Sequence, residues 1–264
     1  MANILDTIVA HKQEEVRKAK ATVPAAQLEQ HSFFTRPVLS LVQSLQDPAL
    51  TGIIAEFKRK SPSKGLFNAG ADPVEITQAY TAAGAAGLSV LTDGFFFGGG
   101  PDDLIQARVN RIPILRKDFI IDEYQLLEAR AMGADVILLI AACLSPAQVS
   151  TLAAFARSLE LEVLLEIHNE AELGHICDEV HLVGVNNRDL KTFMVDVQTS
   201  VRLAARLPAG KTRISESGIS DAATIGLLRA HGFSGFLLGE AFMKQPDPAV
   251  AFARFAEQLK QNVS

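Results

Sequence analysis

The sequence has little of several features that mark particular classes of protein. It contains two cysteines, Cys143 and Cys177, which form neither a CxxC motif nor a disulfide framework, as expected in a reducing cytoplasm. The longest unbroken apolar run, 136–144, is far shorter than the roughly 20 residues that a membrane-spanning helix needs. The first ten residues lack the positive charge of a signal peptide and include Asp6. We therefore expect a cytoplasmic protein with no membrane partner.

An excess of positive charge is also missing. The chain has 25 lysines and arginines against 30 acidic residues, a net charge of −5, and the two signs are interleaved. Such a pattern argues against nucleic acid as a partner. The 6 histidines show no HExxH or other paired ligand spacing, so the sequence predicts no metal site.

What the sequence does contain is a repeat of short apolar runs separated by longer amphipathic segments. The runs begin about 26 residues apart, the length of one strand, one helix and two short loops. They cover residues 52–58, 87–93, 112–119, 135–142, 162–168, 182–187, 213–218 and 235–239. Helices are predicted between the runs over 73–86, 123–132, 146–159, 198–207 and 222–230, and after the last run over 248–259. The predicted helix caps are Asp72, Asp122, Ser145, Asp221 and Asp247.

Eight such units in one chain predict an α/β protein with a (β/α)8 TIM barrel fold. An open doubly wound sheet remains the alternative, although the first strand is followed by charged residues rather than by a GxGxxG nucleotide fingerprint. Residues 1–50 fall outside the repeat and carry a helical apolar stripe at Ile4, Leu5, Ile8, Val9 and Val16. We expect one domain over 1–264, with 1–50 as its helical cap. Removing about 45 residues should then weaken substrate binding more than it unfolds the barrel.

Polar side chains follow five of the predicted strands, at the barrel end where active sites lie. A charge at a strand end can simply mark where the strand meets water, but five together favour a site because buried charges must pair. These side chains are Glu56, Lys58, Lys117, Glu166, Asn186, Arg188 and Glu216. Small residues follow the seventh and eighth strands, over 216–221 and 235–241, where backbone N–H groups could bind a phosphate.

The chain resembles the indole-3-glycerol phosphate synthase family over essentially its whole length. The most specific block is 54–63 (IAEFKRKSPS), which is similar to the family signature. The other blocks are 91–93 (LTD), 115–120 (LRKDFI), 165–167 (LEI), 184–190 (GVNNRDL), 216–219 (ESGI) and 239–241 (GEA). One departure is Gly100 in the second loop, where a serine would be expected, and it puts contacts of that loop in doubt.

The resemblance implies a carbon–carbon lyase of tryptophan biosynthesis. Its phosphorylated substrate, 1-(2-carboxyphenylamino)-1-deoxyribulose 5-phosphate, undergoes ring closure, decarboxylation and dehydration to indole-3-glycerol phosphate. No cofactor is needed. We further expect a monomer or a weak homodimer.

The resemblance also implies roles for individual residues. Lys117 would be the acid for ring closure, with Glu56 as its carboxylate neighbour or as a base. Lys58 and Glu166 are unranked candidates for the dehydration. Asn186 and Arg188 would hold substrate hydroxyls and steady the carboxylates. The phosphate turns would be formed by Glu216, Ser217, Gly218, Gly239 and Glu240, assisted by Lys58 and Ser61. The benzene ring would bind Phe97, Phe119, Leu138 and Leu190, and we expect 95–97 to fold over it.

Two other functions fit the residues alone. A lysine at a strand end can form a Schiff base, so a sugar-phosphate aldolase would share the phosphate site and Lys117. A non-catalytic barrel that only binds a sugar phosphate is the third candidate. The cluster of Glu56, Lys58, Lys117 and Glu166 argues against it, because binding alone has no use for two acid–base pairs.

Overall fold

Eight parallel strands close into a barrel in which sequence neighbours pair throughout. The structure is a computed structural model that describes residues 4–61, 65–66, 68–190 and 192–261. We number the barrel strands β1 (Ile53–Phe57), β2 (Gly87–Leu91), β3 (Ile114–Lys117), β4 (Val136–Ile140), β5 (Glu162–Ile167), β6 (Leu182–Asn186), β7 (Thr212–Glu216) and β8 (Gly235–Leu238). β1 pairs with both β2 and β8, which closes the ring. The predicted TIM barrel is confirmed, and the open sheet is excluded.

Twelve α-helices lie within the described residues. They are α1 (Ile4–Thr22), α2 (Ala25–Leu28), α3 (Leu41–Gln46), α4 (Pro73–Ala82), α5 (Gly94–Phe97), α6 (Pro101–Ala107), α7 (Glu123–Met132), α8 (Pro146–Ser158), α9 (Gln198–Ala204), α10 (Ala222–Ala230), α11 (Glu240–Met243) and α12 (Pro248–Gln261). Two 3-10 turns cover Ala141–Cys143 and Glu170–His175, and a short hairpin pairs Lys60–Ser61 with Gly65–Leu66. Pro62 and Ser63, the end of the signature-like block, lie outside the described residues.

The predicted helix caps are present as hydrogen bonds. Asp72, Ser145 and Asp221 each accept from the backbone N–H three residues on, Asp122 accepts from that of Tyr124, and Asp247 from that of Val250. Each such bond satisfies an N–H group that the helix itself leaves unpaired. The crossover between β5 and β6 differs from the others, because a 3-10 turn stands there instead of an α-helix.

The core has two layers, as the twofold alternation of strand side chains requires. Leu115, Leu138 and Leu164 belong to the inner cluster that fills the barrel, and a larger outer cluster lies between the strands and the helices. Among the described residues, no helix is both long enough and apolar enough to span a membrane.

The N-terminal extension reaches both ends of the barrel. Ile4, Leu5 and Ile8 of α1 line a cavity that the carboxyl ends of the strands also line. Leu41 and Leu45 of α3 join the inner core from the opposite end. Two strands, β2 and β8, begin there with glycine: a Cβ on Gly87 would lie 2.7 Å from Leu41 Cδ1, and one on Gly235 would lie 3.0 Å from Leu45 Cδ1. Thus α3 closes the bottom of the barrel, and α1 lies at its mouth.

Candidate active site

A cavity of about 520 Å³ opens at the carboxyl ends of the strands. It brings together fifteen of the sixteen residues assigned to the site from the sequence. These are Glu56, Lys58, Ser61, Phe97, Lys117, Phe119, Glu166, Asn186, Arg188, Leu190, Glu216, Ser217, Gly218, Gly239 and Glu240. Leu138 is the exception, because its side chain lies in the inner core below the cavity. Ile140, two residues further along β4, lines the cavity in its place.

Lys117, the last residue of β3, lies between two carboxylates at the floor of the cavity. Its Nζ is 3.6 Å from Glu166 Oε2 and 3.8 Å from Glu216 Oε2. Burial by itself lowers the pKa of Lys117, but the charges of Glu166, Glu216 and Glu56 outweigh it and raise that pKa above its ordinary value. Lys117 is therefore an ammonium group at neutral pH, as an acid catalyst must be before it acts.

The two carboxylates beside Lys117 differ in their protonation. Burial raises the pKa of Glu166, but Lys117, His168 and a hydrogen bond from Asn186 Nδ2 outweigh it and lower the pKa. Burial and the negative charge of Glu166 raise the pKa of Glu216 to about 8, against the opposing effect of Lys117. The surroundings thus favour the ionised form of Glu166 and the protonated form of Glu216, so that identical side chains are suited to different roles.

Two glycines leave the space that the carboxyl groups of Glu216 and Glu56 occupy. A Cβ on Gly184, in β6, would collide with the carboxyl group of Glu216. A Cβ on Gly239, after β8, would lie 2.5 Å from Glu56 Oε1 and 2.7 Å from Glu56 Cβ. Such distances are too short for any real contact, so glycine is required at both positions for the carboxylates to stand where they do.

A second ion pair lies in the same cavity. Glu56 and Lys58 are two residues apart at the end of β1 and so share a face, as the alternation predicts. Lys58 Nζ is 2.5 Å from Glu56 Oε1. The four groups named from the sequence as two acid–base pairs therefore do meet, but as Lys58 with Glu56 and Lys117 with Glu166.

His168, at the end of the fifth predicted strand, contacts Glu166 but was not assigned to the site from the sequence. Its Nε2 is 3.2 Å from Glu166 Oε1, and its Nδ1 is 3.2 Å from Glu172 Oε2. Burial lowers the pKa of His168, but the two glutamates outweigh it and raise the pKa to about 10, so the ring is charged at neutral pH. The available signal was the spacing of a histidine two residues after Glu166 and four before Glu172.

The turns expected to bind phosphate follow β7 and β8, which lie across the barrel from Lys117 at the end of β3. Ser217 and Gly218 both have left-handed backbone conformations, with φ of 67° and 74°, at the end of β7. Successive backbone N–H groups of a turn can form a concave anion-binding surface, so phosphate binding by this turn stays a prediction. Ser220 and Lys244 also line this part of the cavity. Arg188 Nη2 lies 3.6 Å from Glu240 Oε2 at its edge.

An apolar wall faces these polar groups. The rings of Phe97 and Phe119 have centroids 6.0 Å apart, and both line the cavity together with α1. Of the three phenylalanines over 95–97, only Phe97 lines it. Phe95 and Phe96 instead contact the ring of His11 in α1, at centroid distances of 4.6 and 5.6 Å. Hence one residue of that run, rather than all three, faces the predicted ring pocket.

Comparisons with known proteins agree with this geometry. A sequence model of the family indole-3-glycerol phosphate synthase matches residues 5–255. A protein of that name from Bacteroides thetaiotaomicron is 47% identical over 261 residues, which are 98% of this chain and 100% of that protein. One from Polaromonas sp. is 45% identical over 96% of this chain and 98% of its own. One from Salinibacter ruber is 43% identical over 98% of this chain and 97% of its own.

Solved structures of other barrels share the fold alone. A 3-hexulose-6-phosphate synthase from Salmonella typhimurium superposes with a TM-score of 0.61 at 11% identity, covering 79% of this chain and 98% of its own. A structure described as KGPDC from Streptococcus mutans gives 0.59 at 10% identity, covering 80% and 98%. The family match and the identities over nearly the whole length carry the assignment: the chain belongs to the indole-3-glycerol phosphate synthase family.

Proposed function

We propose that this chain converts 1-(2-carboxyphenylamino)-1-deoxyribulose 5-phosphate into indole-3-glycerol phosphate, carbon dioxide and water, as a carbon–carbon lyase of tryptophan biosynthesis. The observation that carries the proposal is the position of Lys117. Its Nζ lies 3.6 Å from the carboxyl group of Glu166 and 3.8 Å from that of Glu216, in a cavity that is also lined by Phe97, Phe119 and the turn of Ser217 and Gly218.

Ring closure needs an acid at the ketone oxygen. As the ring carbon that bears the carboxylate attacks the ketone, Lys117 donates its proton to the oxygen, which becomes a hydroxyl group. The carboxylate then leaves as carbon dioxide, and its bonding electrons restore the aromatic ring. Glu166 and Glu216 lie within 4 Å of Lys117 Nζ, so a proton can return to the amine from the neutral acid.

Dehydration needs an acid for the departing hydroxyl and a base for a proton of the new ring. Glu166 is the ionised base in this assignment, because Asn186 and His168 fix its position and its charge. Lys58 is the acid, since its ammonium group lies in the same cavity and is paired with Glu56. The C3 hydroxyl leaves as water, and the electrons of the broken C2–H bond form the double bond between C2 and C3 of the five-membered ring.

Binding orients the substrate by its two ends. Ser217, Gly218, Gly239 and Glu240 would hold the phosphate mainly through backbone N–H groups, with Ser61 beside them. Phe97, Phe119 and Leu190 would contact the benzene ring. Arg188, which also lines the cavity, would hold the sugar hydroxyls or the substrate carboxylate. This orientation brings the ketone to Lys117, which lies between the two ends.

The direct test incubates the purified protein with the carboxyphenylamino sugar phosphate and follows indole fluorescence together with release of carbon dioxide. Equal amounts of both products are expected. Fluorescence without carbon dioxide, or neither signal, would contradict the proposal.

Neither alternative function has an observation that favours it. A Schiff base requires Lys117 as a neutral amine, and the surrounding carboxylates raise its pKa. Borohydride with substrate should therefore leave no adduct on Lys117, and an adduct would support the aldolase. We also propose that the protein acts in the cytoplasm. We further propose that it is a monomer or a weak homodimer, and sedimentation at several protein concentrations would test this oligomeric state.

A further inference from the structure

A lysine occupies one position of the buried stripe of α1. The buried residues of this helix are Leu5, Ile8, Lys12 and Val16, a spacing of three and four residues that marks one helix face. The side chain of Lys12 is only 1% exposed. An ammonium group is almost never buried to that extent unless it is paired, so its partners define what it does.

Those partners lie on two neighbouring strand ends of the barrel. Lys12 Nζ is 3.1 Å from Asp93 Oδ2, just after β2, and 3.0 Å from Asp118 Oδ1, just after β3. Both aspartate side chains are fully buried. Glu15, one turn along α1, is 3.0 Å away but remains half exposed. One cation of the extension thus joins two buried anions of the barrel.

Each aspartate in turn fixes an aromatic residue of the ring pocket. Asp93 Oδ1 accepts hydrogen bonds from the N–H groups of Phe96 and Phe97, at 2.8 and 3.2 Å, and so caps α5. Asp118 Oδ1 accepts from the N–H group of Phe119 at 2.8 Å, and Asp118 directly follows Lys117. The backbone N–H groups of both pocket residues, Phe97 and Phe119, therefore donate to a carboxylate that is paired with Lys12.

The two aspartates depend on Lys12 to different degrees. Asp118 also has Arg116 at 3.0 Å and a hydrogen bond of 2.6 Å from Thr92. Asp93 Oδ2 makes no hydrogen bond among the described residues, and Lys12 is the cation that lies beside it there. Loss of the ammonium group would therefore leave Asp93 as an uncompensated buried charge, which is strongly unfavourable.

We propose that Lys12 is a positioning residue for the aromatic subsite: through Asp93 and Asp118 it holds Phe97 and Phe119 in the geometry that binds the benzene ring of the substrate. The inference rests on the proposed function for the identity of that ring. It makes the N-terminal extension a part of the active site through charge as well as through the apolar contacts of Ile4, Leu5 and Ile8.

The test compares Lys12→Met with a matched control, Lys20→Met. Lys20 also joins α1 to the barrel, through Asp122 at 2.8 Å, but this ion pair lies at the surface. Steady-state kinetics are measured well below the unfolding temperature of each variant. For Lys12→Met we expect KM to rise about tenfold or more, with a smaller fall in kcat, and for Lys20→Met no change beyond about twofold. An unchanged KM with only a lower unfolding temperature would overturn the proposal.

Hydrogen exchange separates this inference from the proposed function. In Lys12→Met the amides of Phe96, Phe97 and Phe119 should exchange faster, whereas strand amides far from Lys12 should not. Unchanged exchange at those three amides would refute the positioning role even if the synthase reaction is established. Wild-type protein without turnover would instead refute the proposed function, and the exchange result would still decide the role of Lys12.

A double variant covers the case in which Lys12→Met folds poorly. Lys12→Met combined with Asp93→Asn removes the buried ion pair as a unit, and the new amide oxygen can still accept from Phe96 and Phe97. Recovery of both the unfolding temperature and KM is expected. Recovery of stability with KM still raised more than about tenfold would contradict a role through Asp93.

Discussion

Lys117 is surrounded by groups that keep it protonated, and this determines what its removal should do. Lys117→Ala removes the acid for ring closure, so we expect kcat to fall by about two to four powers of ten. KM should change little, because the phosphate turns and the aromatic wall are formed by other residues. Stopped-flow or steady-state fluorescence of indole formation measures both constants. A raised KM with unchanged kcat would remove Lys117 from the chemistry and make it a binding residue.

Glu216 allows a test that needs no substrate. Its pKa of about 8 in the folded state lies above its ordinary value of 4.5, because burial and Glu166 disfavour the charge. Between these values the unfolded chain has released a proton that the folded chain retains, so this group lowers stability as pH rises from 4.5 to 8. The isosteric variant Glu216→Gln lacks that dependence.

We therefore expect Glu216→Gln to gain stability relative to wild type as pH rises from 5 to 8, by at most about 1.4 kcal/mol per pH unit. Urea unfolding of both proteins at several pH values gives the difference directly. A difference in unfolding free energy that stays constant across this range would show that Glu216 is ionised throughout.

At the scale of the elements, the turn after β8 brings its backbone against the carboxylate of β1. A methyl group on Gly239 would have to displace Glu56, and Glu56 holds Lys58 at 2.5 Å. Gly239→Ala should therefore lower kcat/KM by about tenfold or more. Gly210→Ala is the matched control, since a Cβ there meets nothing within 4 Å. Equal activities of the two variants would mean that the Glu56–Lys58 pair tolerates displacement.

Elements that depend on local signals could be predicted from the sequence, and those that depend on distant contacts could not. The eight strands and the helices with a capping residue and a regular apolar stripe were predicted, because both signals are local. The 3-10 turn at Glu170–His175 and the short α5 were not predicted. α5 is held by Asp93, whose charge is compensated by a lysine some eighty residues earlier in the chain.

The same distinction applies to the site. Strand alternation was enough to bring Glu56 and Lys58 together, and the rule that barrel chemistry lies at strand ends gathered the rest. Depth along a strand was harder to predict: Ile140 lines the cavity, whereas Leu138 lies one inward-facing position deeper. The role of Lys12 was not predicted, because a single charged residue in an apolar helix stripe is expected to be solvated unless its partners, here Asp93 and Asp118, are known.

For the molecule as a whole, the extension has two different tasks at the two ends of the barrel. α1 supplies Ile4, Leu5, Ile8 and Lys12 near the cavity, whereas α3 places Leu41 and Leu45 in the inner core. Ser40 caps the N-terminus of α3. The Glu162 carboxylate, at the start of β5, accepts hydrogen bonds from the Ser40 hydroxyl group and from the N–H groups of Leu41 and Val42. From the sequence we expect the removal of about 45 residues to weaken substrate binding more than it unfolds the barrel. The core contacts of α3 add the prediction that a deletion of this length also lowers the stability of the barrel.

Two truncations separate these tasks. Deletion of residues 1–22 removes α1, and we expect a barrel that still unfolds cooperatively but binds substrate at least about tenfold more weakly, because the ring pocket loses one wall and the charge on Asp93 is uncompensated. Deletion of residues 1–46 also removes Leu41 and Leu45 from the core, at a cost of about 2–5 kcal/mol for each. Since a domain is stable by only about 5–15 kcal/mol, the longer deletion should lose most of its cooperative unfolding transition. Calorimetry with substrate titration measures both effects. Equal stability of the two truncated proteins would mean that α3 does not close the barrel in solution.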